Sequence, residues 1–129
     1  MAAVKKRILI VEDNPCFLGI LARLLKPWNA EISSTLSGAE AIGLLEGREF
    51  DLILIDLQLP SGDGPQLLDF VSARKEALMS RCLIVTGFPG FGKALSDIPV
   101  VPKTNLVELG PHLLRVIGRP ALNEVAVLA

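Results

Sequence analysis

Five residues of this 129-residue chain have types and positions that could do chemistry together: Glu12, Asp13, Asp56, Thr86 and Lys103. Each stands at or just beyond the carboxyl end of a short apolar run. "ILIV" precedes Glu12 and Asp13, "DLILID" ends in Asp56, "CLIVT" ends in Thr86, and "VVP" precedes Lys103. An ionised carboxylate at the end of a buried strand costs roughly several kcal/mol unless something pairs with it. Asp56 is therefore either a turn cap or part of a site. If strands one and three are neighbours, three carboxylates converge. They cannot all stay ionised unassisted, which leaves raised pKa values or a divalent cation. Oxygen ligands of this kind suit Mg²⁺. A phosphoryl group arriving on one of them would meet a metal ion, a hydroxyl and an ammonium to neutralise its oxygens.

The elements that must bring these residues together can be read from periodicity. The apolar runs are rich in β-branched residues, and helical spacing lies between the first and the next. That alternation argues for a parallel sheet with helices on both faces. The first helix starts in "NPCFLGILARLLK", with Asn14 as N-cap, Pro15 at the first helical position, and Phe17, Leu21, Leu24 and Leu25 toward the core; it ends near Pro27. "AEISST" reads as strand two. Ser37 and Glu40 then form an S-x-x-E capping box, and Gly47 supplies a stop. "EFDLILID" is strand three, and a third helix begins about Pro65 with Leu67, Leu68 and Val71 inward. "RCLIVT" and "VVP" are strands four and five. Between them, "GFPGFGKALSDIP" reads mainly as a loop because of its glycines and prolines. In the last helix, "NLVELGPHLLRVIG", Pro111 either kinks the helix or starts its regular part. Ligands of open parallel sheets gather outside the carboxyl ends of the strands, where the reactive residues stand.

Composition narrows the function. About one domain of this length can bury a core without disulfides or structural metal. With 13 basic and 14 acidic residues there is no electrostatic footprint for nucleic acid or an anionic membrane. The apolar run near the amino terminus is too short for a signal peptide or a membrane span. Cys16 and Cys82 make neither a disulfide framework nor a metal spacing and fit reduced, cytosolic thiols. His112, the only histidine, sits on a helix face and receives no role, and Trp28 reads as a packing cap at a helix end.

"ILIVEDNP", "DLILIDLQLPSGDG", "LIVTG" and "VPK" together resemble the four signatures of the receiver domain of two-component response regulators, over positions 7 to about 118. The intervals match as well: 43 residues from Asp13 to Asp56, 30 to Thr86 and 17 to Lys103. Each motif alone is weak, and the ordered set is specific. The resemblance implies a flavodoxin- and CheY-like doubly wound sheet of five parallel strands in the order 2-1-3-4-5. Residues 1–119 would form the receiver domain and residues 120–129 a tail. It implies that Asp56 is the phosphoacceptor, taking a phosphoryl group from a phosphohistidine on a sensor histidine kinase or histidine phosphotransfer protein in a phosphorelay. Asp13 would bind Mg²⁺ directly, Glu12 through water, with Asp56 and the Gln58 carbonyl completing the set. Thr86, the Gly87 backbone and Lys103 would hold the phosphoryl oxygens, and the glycines of "LPSGDG" would accept positive φ. The protein would be a cytoplasmic signalling component and not an enzyme, with a downstream protein partner and a homodimer both open.

Three features depart from that family's pattern. Val100 stands where an aromatic switch residue is usual. Pro102 precedes Lys103 and Thr104 follows it, whereas a proline normally follows the lysine. The interval from Thr86 to Lys103 is short, so the helix between strands four and five is expected to be reduced or missing. These departures touch the signalling surface and leave the acidic pocket intact. They point to a readout through the loop at residues 87–99, with Phe88 and Phe91 as candidates to change burial. Rival readings are a pseudo-receiver that binds partners without phosphorylation and a small phosphatase with an aspartate nucleophile. The phosphatase is disfavoured because Gln58 stands where haloacid-dehalogenase-type enzymes want a second Asp. A flavodoxin-like cofactor binder lacks a phosphate-cradling loop after strand one.

Overall fold

A computed structural model describes residues 5–74, 77–88, 90 and 97–120. Five strands, β1 (Arg7–Val11), β2 (Glu31–Thr35), β3 (Leu52–Ile55), β4 (Cys82–Thr86) and β5 (Val100–Pro102), form one sheet in the order β2-β1-β3-β4-β5. All four pairings are parallel, with Ile10 opposite both Ser34 and Leu54, and Val85 opposite Val101. The described helices are α1 (Pro15–Leu24), α2 (Gly38–Gly47), α3 (Gly64–Ser72) and α4 (Leu109–Ile117). This is the doubly wound, flavodoxin- and CheY-like architecture expected from the sequence.

The strands read as unbroken apolar runs because both faces of the sheet are covered. Leu9, Val11, Ile53, Ile55, Cys82 and Ile84 point to one side, where Ala41 and Leu45 of α2 and Leu67, Leu68 and Val71 of α3 meet them. Ile8, Ile10, Leu52, Leu54, Leu83 and Val85 point to the other, against Leu21 of α1 and Leu109, Leu113 and Ile117 of α4. Each such side chain removed from water stabilises the fold by about 1.5–3 kcal/mol. That burial holds the central strand ends in fixed relation.

Local signals largely formed as expected. The Asn14 side chain caps α1, accepting from the backbone N–H groups of Cys16 at 2.9 Å and Phe17 at 3.1 Å. α1 ends at Leu24 and a 3₁₀ turn, Lys26–Trp28, follows. Trp28 is buried and its indole Nε1 donates to the Gly118 carbonyl at 2.9 Å, stapling the ends of α1 and α4 together. Pro111 is the third residue of α4, after a 3₁₀ turn at Leu106–Glu108, and so falls in the first turn, where its missing N–H removes no intrahelical hydrogen bond. Two readings change. The Ser37 hydroxyl accepts from Glu40 N–H at 3.1 Å, but the Glu40 carboxylate accepts from the Thr35 hydroxyl at 3.2 Å in place of closing the capping box. Gly47 is the last residue of α2 and not a left-handed stop: the chain leaves through extended Arg48. The loop expected over residues 87–99 falls largely on positions outside the described residues, as do Phe91 and the tail from residue 121.

Candidate functional site

The ladder hydrogen bonds continue past the strands and aim the next residues out of the sheet's carboxyl edge. Glu12 N–H donates to the Thr35 carbonyl at 3.1 Å, Asp56 N–H to Val11 at 2.9 Å, and Lys103 N–H to Thr86 at 2.8 Å. Adjacent parallel strands thereby deliver Glu12, Asp13 and Asp56 to one place, where one carboxylate oxygen from each lies within 4.8 Å of the others. Glu12 is 2 % exposed and Asp56 5 %, so both face inward despite their charge, while Asp13 lies half-buried at the rim.

Lys103 closes the cluster. Its Nζ lies 2.8 Å from Glu12 Oε1 and 3.0 Å from Asp56 Oδ2. The other oxygens of these two acids meet backbone donors: Asn14 N–H reaches Glu12 Oε2 at 3.1 Å, and Gln58 N–H reaches Asp56 Oδ1 at 3.0 Å. Among the described residues Asp13 makes no hydrogen bond or ion pair through its carboxylate, so both of its oxygens are free to ligate. Burial raises the Glu12 pKa above its ordinary value, against the lowering effect of Lys103 and Asn14 and with the Asp56 charge adding to the rise. Burial works against the Lys103 ammonium too, but its hydrogen bonds to Glu12 and Asp56 outweigh that and raise its pKa.

Three carboxylates against one ammonium leave two negative charges uncompensated when all are ionised. A hard oxygen donor set with that residual charge fits a small divalent cation, and Mg²⁺ suits it because it needs only a few carboxylates and keeps its waters. Gln58 is exposed, and its carbonyl makes no hydrogen bond among the described residues. Thr86 is 1 % exposed, and its Oγ1 accepts from Phe88 N–H at 3.2 Å, which leaves the hydroxyl proton free to donate. Gly87 follows in an exposed turn. The Phe88 side chain is 59 % exposed. Val100 is half-buried and packs on the α2–α3 side of the sheet.

Sequence reasoning did not find three contributors. Asn14 braces Glu12 through its backbone while capping α1. Phe17, read as a core residue, lies under the Lys103 ammonium, 4.4 Å from Nζ to the ring centroid. Asp63 reaches across from the loop after β3 to accept from Gly38 N–H and Ala39 N–H, each at 2.8 Å, at the start of α2. The glycines of "LPSGDG" also divide in role: Gly62 takes φ +74°, whereas Gly64 is needed because a Cβ there would overlap the Leu57 carbonyl.

The chain matches the family model for the response regulator receiver domain over residues 8–90. Among curated proteins it is 36% identical over 67 residues, 52% of its length, to the sensor protein GacS of Pseudomonas syringae pv. syringae, covering 7% of that protein. It is 38% identical over 80 residues, 61% of its length, to probable histidine kinase 3 of Oryza sativa subsp. japonica, again covering 7% of that protein. It thus spans only a small fraction of these relatives. Among solved structures, the signal receiver domain of an HD domain-containing protein from Pseudomonas fluorescens Pf-5 aligns with TM-score 0.73 and 26% identity, over 88% of this chain and 95% of that one. The response regulator TrrA of Thermotoga maritima, solved in complex with Mg²⁺–BeF, aligns with TM-score 0.72 and 23% identity, over 86% of this chain and 98% of that one. With the sheet order, the acids at the central strand ends and the lysine after β5 in place, this chain belongs to the response regulator receiver domain family.

Proposed function

We propose that the chain is a phosphoacceptor in a two-component system and that Asp56 carries the phosphoryl group. The observation that bears most weight is the Asp56 carboxylate held between Lys103 at 3.0 Å and the Gln58 N–H at 3.0 Å, beside Glu12 and Asp13. In the transfer, an Asp56 carboxylate oxygen forms a bond to phosphorus as the P–N bond of a partner's phosphohistidine breaks. The imidazole leaves with the electron pair and is neutralised by a proton. Hydrolysis of the acyl phosphate by water returns the carboxylate and inorganic phosphate. Asp13, Glu12, Asp56 and the Gln58 carbonyl would hold Mg²⁺, which when bound supplies positive charge to the phosphoryl oxygens. Lys103 supplies a point charge on the other side, and Thr86 with the Gly87 backbone supplies neutral donors. The chain acts here as a substrate of its partner and not as an enzyme. Support for the partner and the metal comes from relatives: TrrA has been solved in complex with the histidine kinase ThkA, and a receiver domain from a Pseudomonas aeruginosa PAO1 sensor kinase with a magnesium ion in its active site cleft.

Readout would run from Thr86 to Phe88. The Thr86 hydroxyl already accepts from Phe88 N–H, so a phosphoryl oxygen that draws this hydroxyl toward Asp56 loosens the turn carrying an exposed phenyl ring. Val100 offers no ring to swing, which places the burden on residues 87–99. Incubation with Mg²⁺ and a small phosphodonor, followed by intact mass measurement, tests the central claim. Wild type should gain one phosphoryl group and Asp56→Asn none. Equal labelling of the two, or no labelling of wild type, sinks it, and the second result favours a phosphorylation-independent binding module.

A further inference from the structure

The contact between Lys103 and Phe17 belongs to a closed circuit. Glu12 Oε2 accepts from Asn14 N–H at 3.1 Å, and Asn14 Oδ1 accepts from Phe17 N–H at 3.1 Å. The Phe17 ring lies 4.4 Å from Lys103 Nζ, and Nζ returns to Glu12 Oε1 at 2.8 Å. A cation over an aromatic face is attracted by the ring quadrupole, more strongly where water is partly excluded, and the Lys103 side chain is only 23% exposed. A lysine on its flexible four-carbon stem has no geometry of its own to hold it over Asp56. Here the Phe17 backbone is anchored by the cap of α1, its ring packs partly buried against the core, and the cap is tied to the same Glu12 that the lysine touches.

We propose that Phe17 is a positioning residue for Lys103: its ring holds the ammonium where it meets the phosphoryl group on Asp56. The inference rests on the function given above. It goes beyond it by assigning to α1 a share in the phosphate-binding charge that the acids and Lys103 do not reveal. Leucine at position 17 would fill most of the same volume against the core but offers no negative face, whereas tryptophan offers a stronger one.

Two measurements test it. In side-chain NMR of the unphosphorylated protein, the Lys103 Hε protons should be displaced upfield of the solvated lysines by the ring current. That displacement should vanish in Phe17→Leu and persist in Phe17→Trp. In phosphorylation by a small phosphodonor at saturating Mg²⁺, Phe17→Leu should lower the maximal rate by roughly 2- to 10-fold with the donor half-saturation unchanged. Phe17→Trp, with the same melting behaviour checked in both variants, should stay close to wild type. Lys103 protons at the solvated position in wild type overturn the inference without any variant. A wild type that labels while Phe17→Leu labels equally fast overturns this role alone. A wild type that takes up no phosphoryl group overturns the function above and this role with it.

Discussion

Lys103 holds Glu12 as closely as it holds Asp56, with Nζ at 2.8 Å from the first and 3.0 Å from the second. The lysine after β5 is therefore part of the acidic pocket, bridging the ends of β1 and β3. Any divalent cation that enters must share these two carboxylates with an ammonium already on them. The consequences can be measured on the metal-free protein.

Lys103→Met should lower stability in the presence of a chelator at pH 7 by about 1–2 kcal/mol, between the worth of an exposed pair and that of a buried one. The cause is the Glu12 and Asp56 carboxylates left without a counter-charge. Saturating Mg²⁺ should recover more stability in this variant than in wild type, because the cation replaces the missing positive charge. Urea denaturation of both proteins, with and without Mg²⁺, checks this, and equal Mg²⁺ stabilisation of the two would contradict it.

Glu12 should make the metal-free protein lose stability as pH rises. Its folded-state pKa is raised above 4.5, so the folded protein holds this proton more tightly than the unfolded chain. The favourable contribution is fully present below about 4.5 and is lost as pH climbs through the raised value. Lys103 has the same sign at the other end: its pKa is raised above 10.5, so its contribution lasts through neutral pH and is lost as pH rises past its folded pKa. Denaturation midpoints collected in chelator across the carboxylate range should fall less, or rise more, with pH in Glu12→Gln than in wild type, because Asp63, whose pKa is lowered, contributes with the opposite sign. Parallel slopes would show that other groups carry the effect.

Gly64→Ala should destabilise the fold by about 1–3 kcal/mol, a cost of overpacking against a backbone atom that has nowhere to go. The new methyl would overlap the Leu57 carbonyl, one residue beyond Asp56. The variant should also phosphorylate more slowly than wild type when both are folded, since the loop that donates Gln58 N–H to Asp56 must shift. Gly43→Ala, where a Cβ meets nothing within 4 Å in the middle of α2, serves as the control and should be neutral or stabilising.

The two thiols should separate by reactivity. Burial pushes the Cys82 thiol up to about 12, while Cys16 is exposed on the first turn of α1. Alkylation near pH 8 should therefore give one adduct, on Cys16, with a second appearing only in denaturant. Comparable rates for both thiols in the folded protein would mean that β4 is not buried as described.

Much of the fold is legible in the order of residues because its causes are local. Alternation along "ILIV", "LILI" and "CLIVT" places successive side chains on opposite faces, and a run apolar at every position therefore asks for cover on both. Asn14 and Pro15 announce α1 by chemistry confined to a single turn. Charged residues directly after the runs follow the strands to the sheet's carboxyl edge, so Asp13, Asp56 and Lys103 are legible together without any distance. The capping box shows where this reading stops. Ser37 behaves as its local motif requires, but Glu40 finds Thr35 on the preceding strand, a neighbour supplied by the chain's path and absent from the four-residue pattern.

What lies beyond local pattern is every relation between residues distant along the chain. That Lys103 touches Glu12, that Phe17 lies under that ammonium, and that Asp63 caps α2 from the loop after β3 all depend on sheet order and on the angle at which each helix docks. Phe17 looks from its spacing like any other core position, since an aromatic ring on the inward face of a helix has the same periodicity whether it meets a leucine or a lysine. Gly64 looks like a turn residue, and only the approach of the Leu57 carbonyl shows that it is needed for space. Periodicity and strand ends select the residues that can do chemistry. Packing, which sets their separations to a few ångströms, selects which of them share a charge.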